Sequence, residues 1–135
     1  MGLMKWKRVK PLKSEDAISE TERKYNISIP YELRQCITQN NGGRPVPNTI
    51  SIGNGQETDV KCLLSYNADD KESVYPVIKF FFEKYEGTLL PFAMDSSGNY
   101  FCLKGSNVVL WTQDTDVIPV SNNFTSFLDG LYELN

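Results

Sequence analysis

Apolar positions recur along the chain in two rhythms, and the switches between them lay out the fold. Ser14 is placed as a helix N-cap, with Glu15 and Asp16 favourable in the first turn. Ile18 and Tyr25 then fall on one face of a helical repeat, and Asn26 suits a left-handed helix end. After the apolar link Ile27-Ser28-Ile29, Pro30 opens a second helix at a position where its missing N–H costs nothing. Leu33, Cys36, Ile37 and Asn40 share one face of that helix. Asn41-Gly42-Gly43 stops it, because glycine tolerates positive φ, and Arg44-Pro45-Val46-Pro47 reads as loop. Thr49–Ile52 alternates as a strand, Gly53-Asn54-Gly55 turns, and Val60–Leu64 reads as another short strand. A polar stretch, Asn67–Ser73, precedes a third helix over Val74–Tyr85, with Val77, Phe80, Phe81 and Tyr85 directed inward and Gly87 ending it.

Beyond Gly87 the period shortens to two. Leu89–Ala93 and Tyr100–Leu103 form a hairpin around the turn Asp95-Ser96-Ser97-Gly98-Asn99. Lys104–Asn107 turns into a strand at Val108–Trp111, and Val117–Val120 adds a short one. Ser121 or Asn122 caps a closing helix whose apolar face is Phe124, Phe127, Leu128 and Leu131. Lys5–Pro11 reads as an extended arm anchored by Trp6 and Val9. The pattern predicts a single α+β domain: a mostly antiparallel, twisted sheet of about five to six strands, with two N-terminal helices, a middle helix and a C-terminal helix packed on it. Residues 1–13 form a basic arm and residues 14–135 the domain. Met1–Leu3 is compatible with a cloning scar ahead of a native Met4. At 135 residues the chain has the size of one ordinary domain.

Composition narrows the chemistry. There is no histidine, which removes Ser-His-Asp and Cys-His catalysis, His-based zinc sites and His proton shuttles. The three cysteines, Cys36, Cys62 and Cys102, are odd in number and lack CxxC spacing, so a reducing cytosol is the expected home. No apolar run approaches the roughly 20 residues of a membrane span, and the opening lacks the apolar core of a signal peptide. The net charge of −3 is unevenly spread: residues 1–13 carry five basic side chains and no acid, and the remainder balances to −8. From Gly105 to Asn135 the only charges are Asp114, Asp116, Asp129 and Glu133. An acidic body repels nucleic-acid phosphates. It suits a basic protein partner, or serves solubility alone.

Motifs with chemistry are few. The glycines of Gly53-Asn54-Gly55 lack the third glycine and the helix of a dinucleotide loop. Asp95-Ser96-Ser97-Gly98-Asn99 has too few oxygen ligands for calcium and is better read as a turn held by Asx-type hydrogen bonds. Asp69-Asp70 and Asp114/Asp116 are the close carboxylate sets weighed for acid–base work, and both sit in polar sequence, as solvated acids do. Cys102 reads as a buried structural thiol, Trp111 as core, and the basic arm as a weak phosphate signal for want of a folded basic face.

Four segments together carry a likeness. Ala17–Pro45, AISETERKYNISIPYELRQCITQNNGGRP, resembles the opening of the SUKH superfamily, with Pro30 at its apolar-Pro step and Asn41, Gly42, Gly43 and Pro45 at its Asn-Gly-Gly-Pro positions. Leu89–Leu103 resembles the family's hairpin through Pro91, Phe92, Ala93, Asp95, Gly98, Asn99, Phe101 and Cys102. Val109-Leu110-Trp111 is similar to its aromatic-bearing strand. Asn122–Leu131 is similar to its closing helix through Phe124 and Phe127, with Asn123 in place of the usual small residue.

The resemblance implies a SUKH-like domain without catalytic residue, metal or cofactor. It implies a bacterial immunity protein that binds and blocks a cognate polymorphic or contact-dependent toxin, such as a nuclease, in the cytosol, with no direct contact to nucleic acid or membrane. The alternative is a cytosolic regulatory or scaffold module related to fungal regulators of cell-wall synthesis. Asp59, Tyr66, Asp69, Asp70 and Glu72 are the candidate partner contacts, with Asp114 and Asp116 as a second edge. Residues 44–75 are expected to hold the most exposed loops.

Overall fold

The computed structural model describes residues 2–134. Met1, in the expected scar, and Asn135, the last residue of the expected domain, lie outside it. In chain order the elements are β1 (Lys5–Lys7), α1 (Ala17–Tyr25), α2 (Tyr31–Asn40), β2 (Arg44–Val46), β3 (Thr49–Ser51), β4 (Glu57–Asp59) and β5 (Cys62–Leu63). They continue as α3 (Val74–Tyr85), β6 (Leu90–Met94), β7 (Tyr100–Lys104), β8 (Asn107–Trp111), β9 (Val117–Ser121) and α4 (Phe124–Asp129). The strands β5-β6-β7-β8-β9 form an antiparallel sheet in sequence order, and two antiparallel ribbons, β1–β2 and β3–β4, accompany it. The chain is a single α+β domain, as the pattern predicts.

The central strands read as continuous apolar runs because both faces of the sheet are covered. On β7, Phe101 and Leu103 point into the main core, where Phe124 and Phe127 of α4 and Leu33 and Ile37 of α2 also lie. Cys102, one residue out of phase, joins Val109, Trp111 and Phe81 of α3 in a second cluster. Phe127 sits 5.2 Å from Phe101 and 5.4 Å from Phe92, ring centre to ring centre. Burying a ring of this size stabilises by about 2–3 kcal/mol. Trp111 is thus core, but on the opposite side of the sheet from Phe124 and Phe127, and its Nε1–H donates to the Tyr85 hydroxyl at 2.7 Å.

The helices start and stop where local chemistry directs. Asn26 takes the left-handed conformation after α1, φ 53°. Ser73 caps α3, its Oγ accepting from Tyr75 N–H at 3.3 Å. Gly43, just past α2, is fixed by close approach: a β-carbon there would lie 2.8 Å from the Asn40 carbonyl oxygen and 3.1 Å from the Trp6 ring. Gly42 before it stands at φ 68°.

Several expectations are corrected. Helix α1 begins at Ala17, three residues past Ser14, which instead accepts from Asp16 N–H in a preceding turn. Asn123, and neither Ser121 nor Asn122, caps α4, its Oδ1 accepting from Ser126 N–H at 2.8 Å. Arg44–Val46 is strand, not loop: the arm residues Lys5, Trp6 and Lys7 pair with Val46, Pro45 and Arg44. The prolines are tolerated because this two-stranded ribbon asks few hydrogen bonds of them. The strand expected over Val60–Leu64 shrinks to Cys62–Leu63, and β4 before it was not foreseen. Phe80 is 42% exposed, and Ile78 takes the inward position beside Phe81. The arm is also bound to the rest of the domain: Gly2 N–H donates to the Leu131 carbonyl and Leu3 N–H to that of Leu128.

Candidate partner-binding surface

The predicted acidic patch does not assemble as one surface. Tyr66 is only 4% exposed, packed edge-on against Tyr75 at 6.1 Å, and burial pushes its phenol pKa up. At that exposure its side chain presents almost no surface to a partner. The reason is local: the segment Cys62–Asn67 follows β5 into the core, so the expectation that residues 44–75 hold the most exposed loops fails over much of its length.

Asp70 and Glu72 are tied inward. Asp70 Oδ2 accepts from Ser65 Oγ at 2.6 Å and from Asn67 Nδ2 at 3.1 Å. Those hydrogen bonds, the one from Ser65 foremost, hold its carboxyl below the usual range. Glu72 has a side chain only 12% exposed and lies between Lys10 at 3.5 Å and Lys61 at 3.7 Å. Asp69 alone points outward, its side chain 69% exposed and bonded to Lys13 at 2.5 Å. The Lys13 hydrogen bond lowers the Asp69 pKa, and the Asp69 bond raises that of Lys13.

Asp59 belongs with the second edge instead. Its carboxylate accepts from Ser96 N–H at 3.0 Å and from the Ser96 hydroxyl, which joins β4 to the turn after β6. Asp95, 1% exposed, organises that turn: Oδ1 accepts from Ser97 and Asn99 N–H, and Oδ2 from Asn99 Nδ2 and Thr58 Oγ1. Gln113, beside Asp114, reaches the same turn, donating from its backbone to Asn99 Oδ1 at 3.1 Å and from Nε2 to the Gly98 carbonyl at 2.5 Å. Asp59 is thereby linked through the Asp95 turn to the segment bearing Asp114 and Asp116. Both of these aspartates are exposed and form no ion pair among the described residues.

Motif residues account for the scaffold. Asn41 is fully buried and uses its whole amide: Nδ2 donates to the Lys10 carbonyl at 2.8 Å and to Ser65 Oγ at 3.0 Å, while Oδ1 accepts from Tyr66 N–H at 2.8 Å. Asn67 repeats the device, Nδ2 donating to the Pro11 carbonyl and Oδ1 accepting from Lys13 N–H. Pro45, Pro91 and Phe92 are buried. The thiols are unsuited to nucleophilic use. Burial raises Cys36 and Cys62 to about 11, and pushes Cys102 up as well.

One surface was missed. A groove of about 680 Å³ is lined by Lys7 and Arg8 at the end of β1, Arg44 and Pro45 of β2, Asp59 of β4 and Lys61 before β5, together with Glu133 and Leu134. The five basic residues of the first thirteen were the visible half of the signal. Of those five only Lys7 and Arg8 line the groove, and Arg44 joins them through the β1–β2 pairing, which the prolines disguised.

No helix among the described residues is long and apolar enough to cross a membrane. Neither the curated proteins nor the solved structures searched contain a match to this chain. The profile of one family does match, over residues 13–130, a span running from the end of the arm through α1 to the end of α4 and including the Asn41 hub and the Asp95 turn. On that match, the chain belongs to the SMI1 / KNR4 family (SUKH-1).

Proposed function

We propose that the protein is a bacterial immunity protein, which binds a cognate polymorphic or contact-dependent toxin domain in the cytosol and blocks it by occupancy. The family match over residues 13–130 carries this reading. The chain acts without catalysis of its own: it has no histidine, and burial holds its three thiols protonated. A partner whose groove must attract phosphates, such as a nuclease, carries positive charge. The exposed carboxylates of Asp114 and Asp116, with Asp59 nearby through the Asp95 turn, suit such a partner, and Asp69 is a separate exposed acid. An interface of standard size buries roughly 1,600 Å².

The test is co-expression with each candidate toxin domain encoded near the gene. Survival of the host and co-purification of the two chains are the expected results. Death at full expression of the chain contradicts the reading. Asp114→Lys with Asp116→Lys is expected to weaken the complex by roughly tenfold or more, since like charges then face each other across the interface. An unchanged affinity removes that edge from the contact surface.

A further inference from the structure

Four cations from separate parts of the chain meet at one groove, in a protein whose net charge is −3. Lys61 shares Glu72 with Lys10, but Lys7, Arg8 and Arg44 form no ion pair among the described residues. Two features of the groove work against the free fold. The β1–β2 register places Lys7 directly opposite Arg44, a like-charge cross-strand pair that destabilises the ribbon. Arg8 stands at φ 53°, a conformation that a residue with a β-carbon adopts at a cost of about 1 kcal/mol. An anion seated between Lys7 and Arg44 offsets the repulsion. The walls add apolar surface from Pro45, Val46 and Pro47; two carboxylates also line the groove, Glu133 and Asp59, the latter engaged by Ser96, so the four cations outnumber the acids by two.

We propose that this groove receives an extended acidic segment of the partner protein, with carboxylates seated between Lys7 and Arg44 and flanked by Arg8 and Lys61. The assignment rests on the protein-binding reading above and adds a contact of opposite sign that adjoins the acidic edge at Asp59. Arginine presents a planar fork to a carboxylate, and the apolar walls accept the side chains between the acids. A nucleic acid fits less well, because the acidic remainder of the surface repels a polyphosphate that continues beyond the groove.

The full-length chain, labelled with ¹⁵N, is titrated at low salt with a hexaglutamate peptide and separately with a thymidine oligonucleotide of about a dozen units. The expected result is that the peptide shifts the amide signals of Lys7, Arg8, Arg44 and Lys61, and that Lys7→Gln with Arg44→Gln weakens binding by roughly tenfold or more. These replacements remove charge from exposed side chains, and an unchanged amide spectrum elsewhere verifies the fold. No shift at the groove up to millimolar peptide overturns the proposal. Tighter binding of the oligonucleotide at the same residues also overturns it, in favour of a phosphate backbone. The two readings separate cleanly. Peptide shifts at the groove in a chain that fails to protect against the toxin leave the groove standing and the immunity role fallen. Protection by a chain whose groove ignores the peptide does the reverse.

Discussion

Lys10 and Asn41 hold each other through two reciprocal hydrogen bonds: Lys10 N–H donates to the Asn41 backbone carbonyl at 2.7 Å, and Asn41 Nδ2 returns to the Lys10 carbonyl at 2.8 Å. The pair locks the N-terminal arm onto the exit of α2, and Asn41 extends the lock to Ser65 and Tyr66. Asn41→Ala leaves the Lys10 carbonyl and the Tyr66 N–H buried without these partners, at a cost of about 3 kcal/mol. Urea denaturation followed by tryptophan fluorescence should show the midpoint falling accordingly. A loss below about 1 kcal/mol would mean that water replaces the amide and the lock is dispensable.

How far the sequence discloses such features depends on range. The bounds of α3, the hairpin around Asp95 and the left-handed Asn26 rest on neighbours within a few residues, and periodicity and turn chemistry find them. The β1–β2 ribbon pairs residues about forty apart, and Pro45 within it and Pro47 just after it make the segment read as loop. The candidate surface suffered most. Asp69, Asp70 and Glu72 look alike in sequence, yet one faces solvent and two are held by Ser65, Asn67, Lys10 and Lys61. Only the fold decides which acids are already occupied.

The run Phe80-Phe81-Phe82 left the inward face of α3 open to misreading, and the structure assigns the positions sharply. Phe81 is fully buried, while Phe80 is partly exposed and touches Trp111 edge-on at 5.6 Å. Phe81→Ala is expected to cost about 3–5 kcal/mol. Phe80→Ala should cost about 1 kcal/mol or less, since much of the ring is already in water. Thermal melts of the two variants test the order, and equal losses would refute the assignment.

Asp70 gives the stability a defined acid limb. Hydrogen bonds from Ser65 and Asn67, with the charge of Lys10, favour the ionised carboxylate and outweigh the opposing effects of desolvation and of Asp69. The folded pKa therefore lies below the unfolded value of roughly 3.9. The contribution is fully present above that value and is lost as pH falls through the folded pKa. Asp70→Asn should lower the urea midpoint at pH 7, and the gap to the unaltered chain should close as the pH falls through the folded pKa. A gap of constant size across that range would show that the charge of Asp70 plays no part.

The thiols should be slow to react. At pH 8, a thiol held at about 11 is ionised to the order of one part in a thousand. Iodoacetamide should label the half-buried Cys36 first, and Cys62 and Cys102 only after unfolding. Rapid native labelling of Cys102 would contradict its place beneath α3.

The central claim, that the chain works by occupying a partner, is tested most directly by titrating the purified toxin domain with it and recording residual toxin activity. Occupancy predicts a linear fall that reaches zero at one chain per toxin domain. Complete inactivation by a small fraction of an equivalent would reveal turnover, and full activity in the presence of excess chain would show that no blocking complex forms; either result contradicts the account.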